Sequence, residues 1–334
     1  MSSATLRELL DQSPAAQRQV VLAGWEDHLA GEDLPVLLEV SHDGEPAVRL
    51  LAIGLLEELG EVAAVPRLCA AAADPDPAVR EAAGAALRSF RDPAGGAASE
   101  SAVVAALVSA LGAASTTAAD QPLIRAAVVA ALREHRSPQA RAPLTAALAD
   151  PAPAVRREAV VSLAFLRDPT SVDALVAALS DDDAAVRRLA VGALAPWLGP
   201  ATSGALATAL GDADWQVRRE AAIVLGRSAL SSVVPALLRA LDDQAWQVRR
   251  ETILSLGRLR AVAAATPLLG FLSDSLADLR RAGATALGEL GDGLAADQAA
   301  AARNRLEALR ATDPDAEVRK AATRALTAFP IRSP

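Results

Sequence analysis

Arginine is the residue in this chain best equipped to do chemistry, and it returns at a fixed interval. Arg18, Arg49, Arg80, Arg125, Arg156, Arg187, Arg218, Arg249, Arg280 and Arg319 stand 31 residues apart in seven of nine steps, the other two being 45 and 39. A second arginine follows directly in five consecutive copies, Arg157, Arg188, Arg219, Arg250 and Arg281, and Lys320 closes the series. A guanidinium stays charged and presents five donors in a planar fork, so it grips a carboxylate of the chain or an external anion but transfers no proton. Binding, not acid–base catalysis, is the chemistry this spacing offers.

The residues that usually carry catalysis are few and scattered. His28, His42 and His135 fall in different repeats with no paired spacing for a metal. Cys69, alone in Leu68-Cys69-Ala70-Ala71, reads as a small core hydrophobe. Gly95-Gly96 has neither the lysine nor the strand context of a phosphate loop. The sequence therefore implies no catalytic residue, no metal and no cofactor.

The elements that position the arginines follow from the repeat itself. With the residue before each first arginine as position 0, Asp occupies −5 in eight copies: Asp43, Asp74, Asp150, Asp181, Asp212, Asp243, Asp274 and Asp313. Position −3 is Asp76, Asp183, Asp214 or Asp315, and −2 is Pro46, Pro77, Pro122 or Pro153. An acid before a first-turn proline starts a helix, because the carboxylate caps free N–H groups and proline lacks one. Positions 0, +4, +8 and +11, as in Val155, Ala159, Leu163 and Leu166, form the expected buried stripe. Gly226, Gly257 and Gly288 at +9 end the helix or admit a neighbour. A shorter helix precedes each, at 171–179, 203–210, 233–241 and 264–272, giving two antiparallel helices per unit.

A period of this size marks a solenoid, expected as one array over 1–334 because each unit packs only on its neighbours. Residues 1–30 read as a capping repeat, 91–122 as an insertion-bearing repeat with loops at 91–99 and 113–120, and 291–334 as a C-terminal repeat lengthened by a helix from about 295 to 310, with a frayed tail over 329–334. Hydrophobic residues make up 52% of the chain and aromatic ones 2%, so Ala, Leu and Val must fill the core. The net charge of −8 lies in residues 1–149, which hold 19 acids and 11 bases, while 150–334 hold 22 of each. This opposes nucleic-acid binding by overall charge. Residues 101–119 lack charge, but their Ser, Thr and Gly argue against a membrane span, and acids in the first twenty residues argue against a signal peptide. A cytoplasmic protein is expected.

The pattern Asp-x-x-x-x-Val-Arg-x-x-Ala-(Ala/Val)-x-x-Leu-Gly resembles the HEAT-like repeat of the phycobilisome-lyase type over almost the whole chain. The resemblance implies an all-α, right-handed α-solenoid of about ten two-helix repeats. It also implies a choice of function: a scaffold, a lyase or chaperone acting on an anionic ligand such as a tetrapyrrole, or a HEAT-like DNA glycosylase. Net acidity, scarce lysine and few aromatics oppose the last, and no His-Glu pair supports the related di-iron hydroxylases.

Within the repeat, the +1 arginine is placed to reach the −5 aspartate of the next copy, a ladder between turns. The +2 arginines lie about 160° from the +4 core position and face outward, beside Val161, Gly192, Ile223, Leu254 and Thr285 at +6. A cationic column next to an apolar one suits an acidic, apolar protein or peptide, unless Glu158, Glu220 and Glu251 at +3 neutralise it. Trp215 and Trp246 at −2 are either interface anchors or rings laid flat on a neighbouring arginine. Trp25 and Trp197 read as core. The expected binding face is therefore Arg157, Arg188, Arg219, Arg250 and Arg281 with Ile223, Leu254, Trp215 and Trp246.

Overall fold

The computed structural model describes residues 5–90, 97–116 and 121–329. Its contacts gather the chain into two compact units, 1–171 and 172–334. Each unit is a stack of five helix pairs, a leading helix followed by the helix that carries the arginine. In the first unit the arginine helices are Ala15–Ala23, Pro46–Leu59, Pro77–Ser89, Pro122–Glu134 and Pro153–Leu166. Those of the second are Ala184–Ala193, Trp215–Leu225, Trp246–Arg258, Ala277–Leu290 and Ala316–Leu326. Among the described residues there is no strand, and no helix is long and apolar enough to cross a membrane.

The turn residues start the helices as their chemistry dictates. Asp76, Asp183, Asp214 and Asp315 accept hydrogen bonds from the first free backbone N–H groups, and Pro46, Pro77, Pro122 and Pro153 sit at the first helical position. Burial follows positions 0, +4 and +8, and also +5, where Ile53, Val129, Val160, Val191, Ala222, Ile253 and Ala284 are buried. A helix clamped between its leading helix and two neighbours buries a stripe wider than one row. Position +11 corrects the expectation: Leu59, Phe90 and Leu290 are buried there, but Leu166, Trp197 and Leu259 are only half-buried. Trp25 is also half-buried, and both tryptophans lie in short 3-10 segments or their caps after the arginine helix.

Glycine at +9 serves mainly to bring backbones together. A Cβ on Gly257 would stand 2.8 Å from the Ala286 Cα, and one on Gly288 would stand 2.9 Å from the Ala325 Cα. At Gly226, which also caps its helix, the obstacle is Ser255, its Cα 2.9 Å away. In every case +9 of one repeat meets the small residue at +7 of the next. Ser255 seals this seam by donating its hydroxyl to the Ala222 carbonyl of the preceding helix at 2.8 Å.

The two length exceptions are both absorbed by leading helices. Helix Ala296–Thr312 is the expected lengthened element, and helix Ala97–Thr116 takes in residues 97–99 and 113–116, which were expected as loop. An uncharged Ala-rich run has too much helix propensity to stay open. Residues 91–96 and 117–120 of those expected loops, and 330–334 of the tail, lie outside the described residues. Phe329, expected to fray, is buried.

Candidate functional site

The first arginine column is internal to the fold. Arg218 donates from Nε and Nη2 to the two carboxylate oxygens of Asp243 at 2.6 and 2.9 Å, and from Nη1 to the Asp212 and Ala213 carbonyls of its own turn at 2.8 and 3.1 Å. Within the second unit the same fork joins Arg187 to Asp212 and Arg280 to Asp313. In the first unit it joins Arg49 to Asp74 and Arg125 to Asp150, and Arg18 reaches Asp43 at 2.5 Å. Each aspartate also accepts an N–H from its own turn, as Asp243 does from Ala245 at 2.8 Å. One carboxylate thus fixes a turn and ties it to the preceding repeat. Among the described residues no ion pair joins Arg249 to Asp274, although the spacing provides for one.

Electrostatics follow this geometry. Burial pushes the Asp74, Asp212 and Asp243 carboxyls up, but the arginine fork and the turn N–H outweigh it and hold them below the ordinary aspartate value. At Asp313 the Arg280 fork is itself the leading influence, with the same result. The partner guanidiniums of Arg49, Arg187, Arg218 and Arg280 are raised, first by the aspartate hydrogen bond.

The second column is the more open of the two, and it is less uniform than its spacing implies. In the second unit Arg188 is exposed and, among the described residues, touches no carboxylate, while Arg219, Arg250 and Arg281 are half-buried. Glu251, buried at 6% exposure, takes Arg250 at 2.8 Å and Arg219 of the preceding helix at 3.9 Å. Arg281 pairs with Asp278 at 2.5 Å, and the Glu220 carboxylate sits 3.8 Å from where a Gly192 Cβ would be. Acids therefore neutralise much of the column, and Arg188 carries its free charge. Ile223 and Leu254, at +6 on the next two arginine helices, are half-buried. Arg157, the copy in the first unit, donates to the Pro153 carbonyl of its own helix at 3.3 Å.

Trp215 and Trp246 are the first residues of their helices and half-buried. Among the described residues neither ring stacks on an arginine or another ring; the cation–π contact present is Arg136 over Phe165, 4.7 Å from the ring centre. His135 is buried with Nε2 3.4 Å from the Leu87 carbonyl, and His28 meets Trp25 edge-on at 5.6 Å. Burial pushes the Cys69 thiol up to about 12, so it is a core group and no nucleophile. Among the described residues no three His, Cys, Asp or Glu side chains gather as a metal site.

A third set of arginines escaped the sequence reading. Position +12, just past the arginine helix, is Arg136, Arg167 and Arg260 in three repeats and Gly60 and Gly291 in two others, and all five have positive φ. Sequence does carry the signal, since arginine alternates there with the residue suited to a left-handed turn.

Against known proteins, the family profile for HEAT repeats matches residues 34–112, 106–195 and 203–288. An engineered protein of known crystal structure is similar over 97% of this chain and 98% of its own, with 19% identity and a TM-score of 0.53. A structure of Kap95p with RanGDP contains a chain similar over 98% of this one and 48% of its own length, with 16% identity and a TM-score of 0.63. At such identities the likeness shows the fold alone. No curated protein matches. With matched repeats over more than half its length and a helix pair in every period, the chain belongs to the HEAT-repeat family.

Proposed function

We propose that the protein is a non-enzymatic scaffold whose second arginine column holds an acidic, apolar segment of a protein partner. The observation that carries this reading is Arg188, an exposed guanidinium free of carboxylates among the described residues, with the half-buried Ile223 and Leu254 on the next two arginine helices. An acidic side chain meets Arg188 while apolar side chains cover Ile223 and Leu254. Arg219, Arg250 and Arg281 extend the face within the second unit, Trp215 and Trp246 stand at its helix starts as anchors, and Arg157 is the equivalent position in the first unit. The Kap95p–RanGDP structure supports the general idea only, because that protein of like fold is seen with a protein.

The test is capture followed by substitution. The chain is used as bait, the captured protein is identified by mass spectrometry, and binding is then measured with purified components. Arg188→Gln, Arg219→Gln and Arg250→Gln are introduced with Glu251→Gln, so that no buried carboxylate is stranded. Binding should fall at least tenfold with an unchanged helical spectrum, and parent binding should weaken with salt. Ile223→Ser with Leu254→Ser should weaken it with little salt dependence. Unchanged binding in the arginine variant overturns the reading. Quenching of Trp215 and Trp246 by an added tetrapyrrole would favour the small-ligand alternative, and steeply salt-dependent binding to any DNA duplex would favour the nucleic-acid one.

A further inference from the structure

Beyond the arginine columns, the second unit has a cleft of about 780 Å³ at the C-terminal ends of helices Trp215–Leu225 and Trp246–Arg258, closed from the other side by helix Val234–Ala240. Its walls are aliphatic, among them Leu230, Val234, Leu238, Leu259 and Val262, and three arginines line it: Arg227, Arg258 and Arg260. No acidic residue lines it. All three arginines are exposed. Among the described residues the one carboxylate they meet is Asp292, 3.6 Å from Arg260, an open pair with side chains 68% and 88% exposed, which gives way easily to a competing anion.

Two contrasts make this cleft distinctive. A cleft of about 670 Å³ in the first unit, along helix Ala97–Thr116, is lined by one arginine, Arg125, already forked onto Asp150. Second, Arg260 is held at φ 48°, as Arg136 and Arg167 are at the same position and where Gly60 and Gly291 stand in other repeats, and of the three it is the one that lines this cleft. A left-handed non-glycine residue is a strained choice, and such strain persists where a side chain is wanted.

We propose that this cleft binds a small amphiphilic carboxylate, an aliphatic chain ending in a carboxyl group. The guanidinium fork matches a carboxylate. The absence of aromatic side chains from the lining favours an aliphatic body over a flat ring. The volume lies in the range of small-ligand sites, about 300–1,000 Å³. This ligand is separate from the protein partner proposed above, since the +2 column lies in the N-terminal half of each arginine helix and the cleft at its other end.

Decanoate is the probe, titrated into the intact protein by calorimetry, with acetate and decanol as the head-only and chain-only controls. Decanoate should bind at micromolar to submillimolar concentration, and both controls at least tenfold more weakly. Arg227→Gln with Arg258→Gln should weaken decanoate at least tenfold. Arg260→Gly is the decisive variant, because glycine suits the backbone there: the melting temperature should hold or rise while decanoate affinity falls. Decanoate and decanol binding alike, or affinity unchanged in both arginine variants, would overturn the proposal, as would no decanoate binding at millimolar concentration.

Discussion

The two units are built from the same repeat yet solve its packing differently. Residues 1–171 hold 22 acids and 14 bases and carry the whole net charge of −8, whereas 172–334 hold 19 of each. In the second unit Gly226, Gly257 and Gly288 let neighbouring backbones meet at +9, beside Ala195 and Thr327 in the end repeats, while the first unit has Glu26, Glu57, Arg88 and Arg133 at that position and a small residue, Ala164, only in its last repeat. Polar contacts replace close approach there: Ser89 donates to Glu57, and Arg133 lies 3.6 Å from Glu158. What both units keep is the aspartate–arginine rung. The turn end of the repeat is therefore its fixed part, and the far end is free to vary, which is also where the proposed ligand cleft lies.

If the rung is the shared element, acid should reach both units. The Asp74, Asp212, Asp243 and Asp313 carboxyls are held below the ordinary aspartate value of 3.8. A folded-state depression contributes stability that is complete above the unfolded-state value and is lost as pH falls through the folded one. The melting temperature should thus be flat above about pH 5 and fall steeply below about pH 4. Among the described residues each unit holds three rungs, so proteolysis in acid should cut both units. A melting temperature steady down to pH 3 would mean that the rungs add nothing net.

Single rungs come next. Arg218→Ala leaves Asp243, 8% exposed, without its fork, and Arg125→Ala does the same to Asp150 in the first unit. Each should cost about 2–4 kcal/mol, read from denaturant midpoints. Arg188→Ala should cost under about 0.5 kcal/mol, because an exposed charge without a partner contributes little. Comparable losses from Arg188 and Arg218 would show that the two columns have been assigned the wrong roles.

The seam separates the units directly. Gly257→Ala forces a Cβ to 2.8 Å from the Ala286 Cα and should cost about 1–3 kcal/mol, since the obstacle is backbone. The corresponding first-unit change, Glu57→Ala, removes one hydrogen bond to the exposed Ser89 and should cost about 0.5 kcal/mol or less. Equal costs would erase the distinction drawn between the units.

Much of this was legible because it repeats. Asp at −5 and −3, proline at −2 and the arginine pair each recur often enough to fix their roles, and the ladder follows from a register of 25 residues between Arg218 and Asp243. The state of the +2 column was not legible, because it depends on which acid each arginine finds: Glu251 is sandwiched between Arg219 and Arg250, while nothing in the spacing says that Arg188 stays free. The cleft was hidden for a related reason. Arg227 and Arg258 share position +10, which is arginine in those two copies alone, Arg260 stands at +12, and only the fold brings the three to one mouth. Helix Ala97–Thr116 shows the opposite failing, where interrupted periodicity read as loop although local propensity favoured helix.

The smallest expected effect is the one that links packing to binding. Arg167 and Arg260 stand at φ 50° and 48°, in the position filled by Gly60 in the first unit and Gly291 in the second. The left-handed conformation costs an L-residue about 1–2 kcal/mol, and glycine loses part of that advantage, about 0.5–1 kcal/mol, through its more flexible unfolded chain. Arg167→Gly and Arg260→Gly should therefore each stabilise by up to about 1 kcal/mol. Arg136→Gly should gain less or nothing, because it also removes the contact over Phe165. Thermal melts of the three variants decide the matter. If Arg260→Gly lowers stability while Arg167→Gly raises it, the Arg260 guanidinium is serving the fold through contacts such as that to Asp292, and the strain argument for a ligand at the cleft is lost.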